Sequence, residues 1–125
     1  MYSEAFLRAL EESLGRLETT SLAEYIRFYT SRAHRDSPEA GCVLPTLAPE
    51  IGRGSEAMRQ TFAEGLEMLL ARVEEHLPRA EALTLLSTLV GAMLLARAVG
   101  DAGLSDEILR QARHKLLREY GGSDD

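Results

Sequence analysis

The sequence predicts an all-α protein, a bundle of about six helices. Alanine, leucine, glutamate and arginine dominate the chain, and these residues favour helices. Apolar residues recur every three or four positions in segments that turn residues separate, which is helical spacing. Residues 82–96 carry no charge at all. At 125 residues the chain is one domain. We assign that domain to residues 1–120, and we expect residues 121–125 to be a disordered tail.

The uncharged stretch 82–96 predicts the central helix. A helix that is apolar around most of its circumference needs partners on several sides. One side carries Leu85, Leu89, Ala92, Met93 and Ala96, and the other carries Leu83, Leu86, Val90 and Leu94. We expect one side to pack inside the subunit and the other against a second copy. The stretch is shorter than the roughly 20 residues of a membrane span, so no membrane association is expected.

The first half of the chain predicts three helices. Residues 3–17 show the first apolar stripe. Ser21 and Glu24 form a capping box, which opens a second helix that continues to about His34. Pro45 suits the first turn of a helix, whereas Pro49 removes a hydrogen bond from it. We therefore expect a short, irregular third helix that ends at Gly52 or Gly54.

Three longer helices are predicted in the second half. Ser55 starts the longest amphipathic helix, which runs to Leu77 before Pro78. The central helix covers residues 79–99, and residues 100–103 form a turn. Ser105 is expected to cap the last helix, which ends before Gly121. The stripe expected to be buried in the longest amphipathic helix is Met58, Phe62, Leu66, Leu69, Val73 and Leu77.

Composition narrows the function classes. The net charge of −6 argues against direct binding of nucleic acid, which needs a basic surface. Cys42 is the only cysteine, so no internal disulfide forms and a cytoplasmic location is expected. We expect no metal and no cofactor, because the histidines lack a ligand pattern and solvated or capping roles fit them better. No arrangement typical of nucleophilic catalysis has supporting context, so we expect a protein that is not an enzyme. A small helical enzyme remains an alternative to the two readings given below.

Six residues are candidates for a small-molecule site, because ligand sites are mostly apolar with a few hydroxyl groups. They are Phe6, Tyr25, Phe28, Tyr29, Met58 and Phe62. The alternative is an ordinary hydrophobic core. Cys42, near a helix start, is either a reactive thiol or a small buried hydrophobe. The segment 52–57 superficially matches a dinucleotide fingerprint, but no strand precedes it.

Several segments together resemble the C-terminal half of TetR-family transcriptional regulators. The most specific are LVGAMLLARAVGD at residues 89–101 and LSDEIL at residues 104–109, supported by GCVL at 41–44 and the long helix that bears Phe62. The resemblance covers nearly the whole chain. It begins where the family's fourth helix begins, so the family's three-helix DNA-binding domain is not matched. The chain is then either an excised regulatory domain or a natural protein without a DNA reader.

The resemblance implies an effector-binding and dimerisation domain of a transcriptional repressor. In the family, the last two helices of each subunit pair into a four-helix interface, and effectors bind among the earlier helices. The implied homodimer interface here comprises Leu85, Leu89, Ala92, Met93, Ala96, Ile108, Leu109, Ala112 and Leu116. The expected partners are a second copy and an apolar or aromatic effector, with DNA bound only through the unmatched domain. The alternative is a stand-alone helical protein that dimerises with a partner regulator.

Overall fold

The computed structural model describes residues 20–38 and 44–122, together with residues 8, 11, 12 and 15. The described residues form an all-helical bundle, as predicted. Its helices are α1 (Leu22–Tyr29), α2 (Arg32–Asp36), α3 (Leu44–Ile51), α4 (Glu56–Val73), α5 (Arg79–Ala98) and α6 (Ala102–Tyr120). Residues 8, 11, 12 and 15 are also helical. The rest of the predicted first helix and residues 123–125 of the predicted tail lie outside the described residues.

The predicted second helix is split into two. The capping box is present, with the Glu24 amide 3.1 Å from Ser21 Oγ and the Ser21 amide 3.0 Å from Glu24 Oε1. The helix stops after Tyr29, where Thr30 Oγ1 donates to the Ile26 carbonyl at 2.8 Å. Ser31 then takes an extended backbone and caps α2. Hydroxyl side chains therefore compete with the helical backbone at this junction.

The α3 and α4 segments confirm the predicted helices with small changes of length. Helix α3 ends at Ile51, directly before Gly52, and it contains Pro49 as expected. Ser55 caps α4 by accepting from the Met58 amide at 3.1 Å. Helix α4 ends at Val73 rather than Leu77, because residues 74–77 form tighter turns before Pro78. Leu69 and Val73 are buried, and the other predicted stripe residues are partly buried.

Helices α5 and α6 form an antiparallel pair. Glu81 near the start of α5 accepts a hydrogen bond from the Tyr120 hydroxyl at the end of α6, at 2.7 Å. At the other end, Ser105 Oγ donates to the Ala96 carbonyl at 2.7 Å. The prediction that Ser105 caps α6 is therefore wrong. Asp101 is the cap, accepting from the Leu104 amide at 3.0 Å, and Ser105 is buried inside the first turn.

Helix α5 is the centre of the bundle, as predicted, and it contacts α2, α3, α4 and α6. Seven of the nine predicted interface residues are buried within the chain itself, namely Leu85, Leu89, Ala92, Met93, Ala96, Leu109 and Leu116. These side chains are therefore core residues of the single chain. Dimerisation, and the nine residues assigned to its interface, stay a prediction. Ile108 and Ala112 are only half-buried.

By length and composition, α5 is also the one helix among the described residues that is able to span a membrane. The bundle buries one side of it, and core helices of soluble proteins meet the same two criteria. Leu83 and Leu95 on its other side are 40% and 58% exposed. The packing of α5 is thus that of a central helix with one side left open.

Candidate functional site

The open side of α5 carries a strip of small and apolar residues. We call Thr84, Thr88, Leu95 and Ala98 the outer strip, because their spacing places them along one face of the helix. Thr84, Leu95 and Ala98 are exposed, and Thr88 is half-buried. A long exposed helix face in a soluble protein normally carries charges. This face carries none between residues 82 and 96.

The threonines of the outer strip have no hydroxyl group that needs an outside partner. Thr84 Oγ1 donates to the Ala80 carbonyl at 3.1 Å, and Thr88 Oγ1 donates to the Thr84 carbonyl at 2.8 Å. Both hydrogen bonds turn back along the helix itself. A partner helix that covers the outer strip therefore leaves no hydroxyl donor unpaired, and the desolvation cost of an unpaired polar group is avoided.

Beside the outer strip, α3, α4 and α5 enclose an apolar groove with a volume of about 320 Å³. We call this concavity the apolar groove. Its lining comprises Leu44 and Ala48 from α3, Phe62 and Leu66 from α4, and Leu83, Leu86, Ser87, Val90, Gly91 and Leu94 from α5. The α5 contribution is the second apolar side that the sequence spacing identified, with Ser87 and Gly91 added. None of these lining residues, all in the described part of the chain, carries a charge.

The five predicted ligand residues that the structure describes do not converge on one site. Among these five, Phe62 alone lines the apolar groove. Tyr25 and Tyr29 are 1% and 0% exposed, and their rings meet edge-on in the core with centroids 5.8 Å apart. Met58 lies at the start of α4, and its side chain approaches Gly54. Phe6 lies outside the described residues, so its ligand role stays a prediction, as do the others.

The histidines were expected to be solvated or capping; His34 is 2% exposed and takes the capping role at the end of α1. Its Nδ1 lies 2.7 Å from the Tyr29 carbonyl oxygen, and its ring stacks on Phe28 with centroids 5.2 Å apart. His76 and His114 are exposed, as expected. Among the described residues no cluster of potential metal ligands occurs. Cys42 lies outside these residues, and its reactivity remains a prediction.

A polar junction ties α2 to the connection between α5 and α6. Arg97 donates to the carbonyls of His34 at 2.8 Å and Arg35 at 3.1 Å. Arg35 Nη1 donates to Ser105 Oγ at 3.0 Å and to Asp106 Oδ1 at 2.8 Å. The hydrogen bond from Arg35 lowers the pKa of Asp106. Because both guanidinium groups already bind protein oxygens, we interpret this junction as structural.

Two features of the described residues therefore have the character of binding surfaces, the outer strip and the apolar groove. No known protein family matches the chain, and no curated protein is significantly similar to it. A proposal about the family therefore depends on the resemblance seen in the sequence. A proposal about function depends on the geometry of these two surfaces.

Proposed function

We propose that this chain is the effector-binding and homodimerising domain of a TetR-type transcriptional repressor, acting in the cytoplasm. The single observation that supports dimerisation best is the outer strip on α5. An uncharged helix face with satisfied hydroxyl groups favours close packing against another helix. The antiparallel partner α6 runs beside α5 and presents Leu104, which is 46% exposed. Two copies of this helix pair would then form a four-helix interface.

The proposed dimer is tested by sedimentation velocity of the purified chain. We expect a dimer that Thr88→Glu converts to a folded monomer, because a carboxylate buried at the interface loses its solvation. Ala57→Glu is the matched control, since Ala57 is exposed in the first turn of α4 and does not belong to the outer strip. A wild-type monomer at high micromolar concentration would overturn the proposal, and so would an unchanged Thr88→Glu dimer.

The apolar groove is the proposed effector site. A ligand regulates only if it binds one arrangement of the protein better than another. The groove joins α3 and α4 to the helix that carries the outer strip, so a ligand contacts both the earlier helices and the proposed dimer helix. DNA binding is assigned to a domain outside these 125 residues, in line with the net charge of −6. Retention of duplex DNA in a low-salt mobility-shift assay would contradict this part of the proposal.

The second candidate is a stand-alone interaction protein that pairs with another regulator. The observation that favours it is the lack of charge along residues 82–96. Charged residues commonly determine the choice of partner at helical interfaces. Without charges on this stretch, nothing electrostatic restricts its pairing to an identical copy. Mixing the chain with a full-length TetR-type regulator and resolving the species by native mass spectrometry separates the candidates. Heterodimers in excess of homodimers would favour the second.

A further inference from the structure

We propose that the ligand of the apolar groove is a small neutral molecule of about ten non-hydrogen atoms that carries one hydrogen-bonding group. This inference rests on the proposed function only for the ligand's regulatory role. Its physical basis is the groove itself, with the volume and the described lining residues of α3, α4 and α5.

The volume limits the size of the ligand. The groove encloses about 320 Å³, and a water-sized group occupies about 30 Å³ in a liquid. About ten such groups therefore fill it. This volume is at the lower end of the range for small-molecule sites, so larger polycyclic ligands do not fit within the groove.

The lining limits the charge of the ligand. Phe62, Leu86 and Leu94 present only hydrocarbon, and none of the lining residues bears a charge that would pair with an ion. Moving an ionised group from water into such surroundings without a partner is costly. A carboxylate or an ammonium group in the groove meets no counter-charge among the described lining residues, so we expect the neutral form of an otherwise identical molecule to bind better.

Ser87 fixes the position of the polar group. Among the described lining residues it has the only side chain with a hydrogen-bonding group, and it lies on the α5 side of the groove. The ligand's hydroxyl or carbonyl oxygen is expected next to Ser87 Oγ, with the apolar part lying between α3 and α4. Ser87→Ala removes one neutral hydrogen bond, which corresponds to a loss of affinity of about 2- to 10-fold.

Gly91 allows the groove to be blocked without disturbing the bundle. A Cβ atom added to Gly91 has no neighbouring atom within 4 Å outside the helix backbone. Leucine is also a better helix former than glycine, so Gly91→Leu is expected to fold and to occupy the groove. Gly103→Leu is the matched control, because Gly103 lies in the first turn of α6, outside the groove. A Cβ atom added there meets only Asp101 Oδ1, at 3.4 Å.

The experiment compares 1-nonanol, nonanoate and nonylammonium by isothermal titration calorimetry with the full 125-residue chain. We expect 1-nonanol to bind, both charged probes to bind at least about tenfold more weakly, Gly91→Leu to abolish binding and Gly103→Leu to retain it. Circular dichroism of each variant confirms folding. Equal affinity for nonanoate and 1-nonanol would overturn the proposal, as would no binding of 1-nonanol or undiminished binding to Gly91→Leu.

The same samples separate this proposal from the proposed function. Sedimentation velocity reports dimerisation independently of ligand. A dimer that ignores 1-nonanol contradicts the ligand class and leaves the dimer proposal standing. A monomer that binds 1-nonanol with the expected variant pattern supports the groove and contradicts the dimer.

Discussion

Two leucines on α5 provide a direct test of which side of the helix belongs to the core. Leu89 is 0% exposed and Leu95 is 58% exposed, although the sequence makes both parts of the same uncharged stretch. We predict that Leu89→Ala destabilises the folded chain without weakening the proposed dimer contact. Leu95→Ala is predicted to do the reverse.

The magnitudes follow from burial. Truncating a fully buried leucine costs about 2–5 kcal/mol, because the lost contacts and the cavity both count. For Leu95, removing about three methylene-sized groups at ~0.8 kcal/mol each, scaled by the 58% of its surface still open, gives about 1.4 kcal/mol per protomer. Both protomers contribute, so the dissociation constant of the dimer rises by about 100-fold.

The assay combines urea unfolding, followed by circular dichroism, with sedimentation equilibrium at several protein concentrations. A dimer that forms through the outer strip unfolds at a midpoint that rises with concentration. Leu95→Ala should reduce this concentration dependence and leave the unfolding of the monomer within about 0.5 kcal/mol of wild type. Leu89→Ala should lower the midpoint at every concentration.

The opposite pattern would refute the reasoning. If Leu89→Ala weakened the dimer while unfolding stayed unchanged, the side that is buried in the single chain would have to open when two copies meet. The original assignment of Leu89 to the dimer surface would then be right, and the outer strip would be an ordinary solvent-exposed face.

Three further predictions concern a helix cap, an ion pair and a hydrogen bond. Asp101→Ala removes the α6 cap and should lower the free energy of unfolding by about 0.5–2 kcal/mol in urea titrations. An unchanged free energy of unfolding would contradict the assignment of Asp101 as the cap. Arg35 lowers the pKa of Asp106, so their bond stabilises the fold above the ordinary carboxyl pKa of about 3.9 and is lost as pH falls through the lower folded value. The urea midpoint of Asp106→Asn should therefore depend less on pH in the acid range than the midpoint of the wild type does. Glu81 raises the pKa of Tyr120 to about 12, so that bond contributes below the ordinary pKa of about 10 and is lost as pH rises through 12. Glu81→Gln should move one phenolate absorbance transition, absent in Tyr120→Phe, to lower pH.

The sequence predicted the helices well where the signal is local. The Ser21 capping box and the Ser55 cap depend on residues three positions away, and both were identified correctly. The start of α6 was wrong because Asp101 and Ser105 are both acceptable caps by local rules. The choice between them depends on Ala96, whose carbonyl binds the Ser105 hydroxyl. A partner nine positions away on another helix is not visible in a local pattern.

The break between α1 and α2 also depends on a contact that is distant in sequence, although here a local signal was present. Thr30 and Ser31 are residues that favour helix ends, so the sequence did contain a signal for the break. The apolar spacing through Tyr29 hid that signal. In the folded chain Arg113 of α6 donates to the Thr30 carbonyl at 3.2 Å. The end of α1 is therefore stabilised by a helix more than eighty positions away, which no reading of the segment alone reveals.

The sides of α5 could not be ranked from sequence, because both are apolar and uncharged. The side rich in leucine and methionine fills the space between α5 and the other helices, and large side chains gain the most from full burial. The threonines of the outer strip have little bulk to contribute there, and their hydroxyl groups find partners within α5 itself. The same sorting that builds the core of one subunit therefore leaves, on the outside, the helix face that allows the closest approach of another helix.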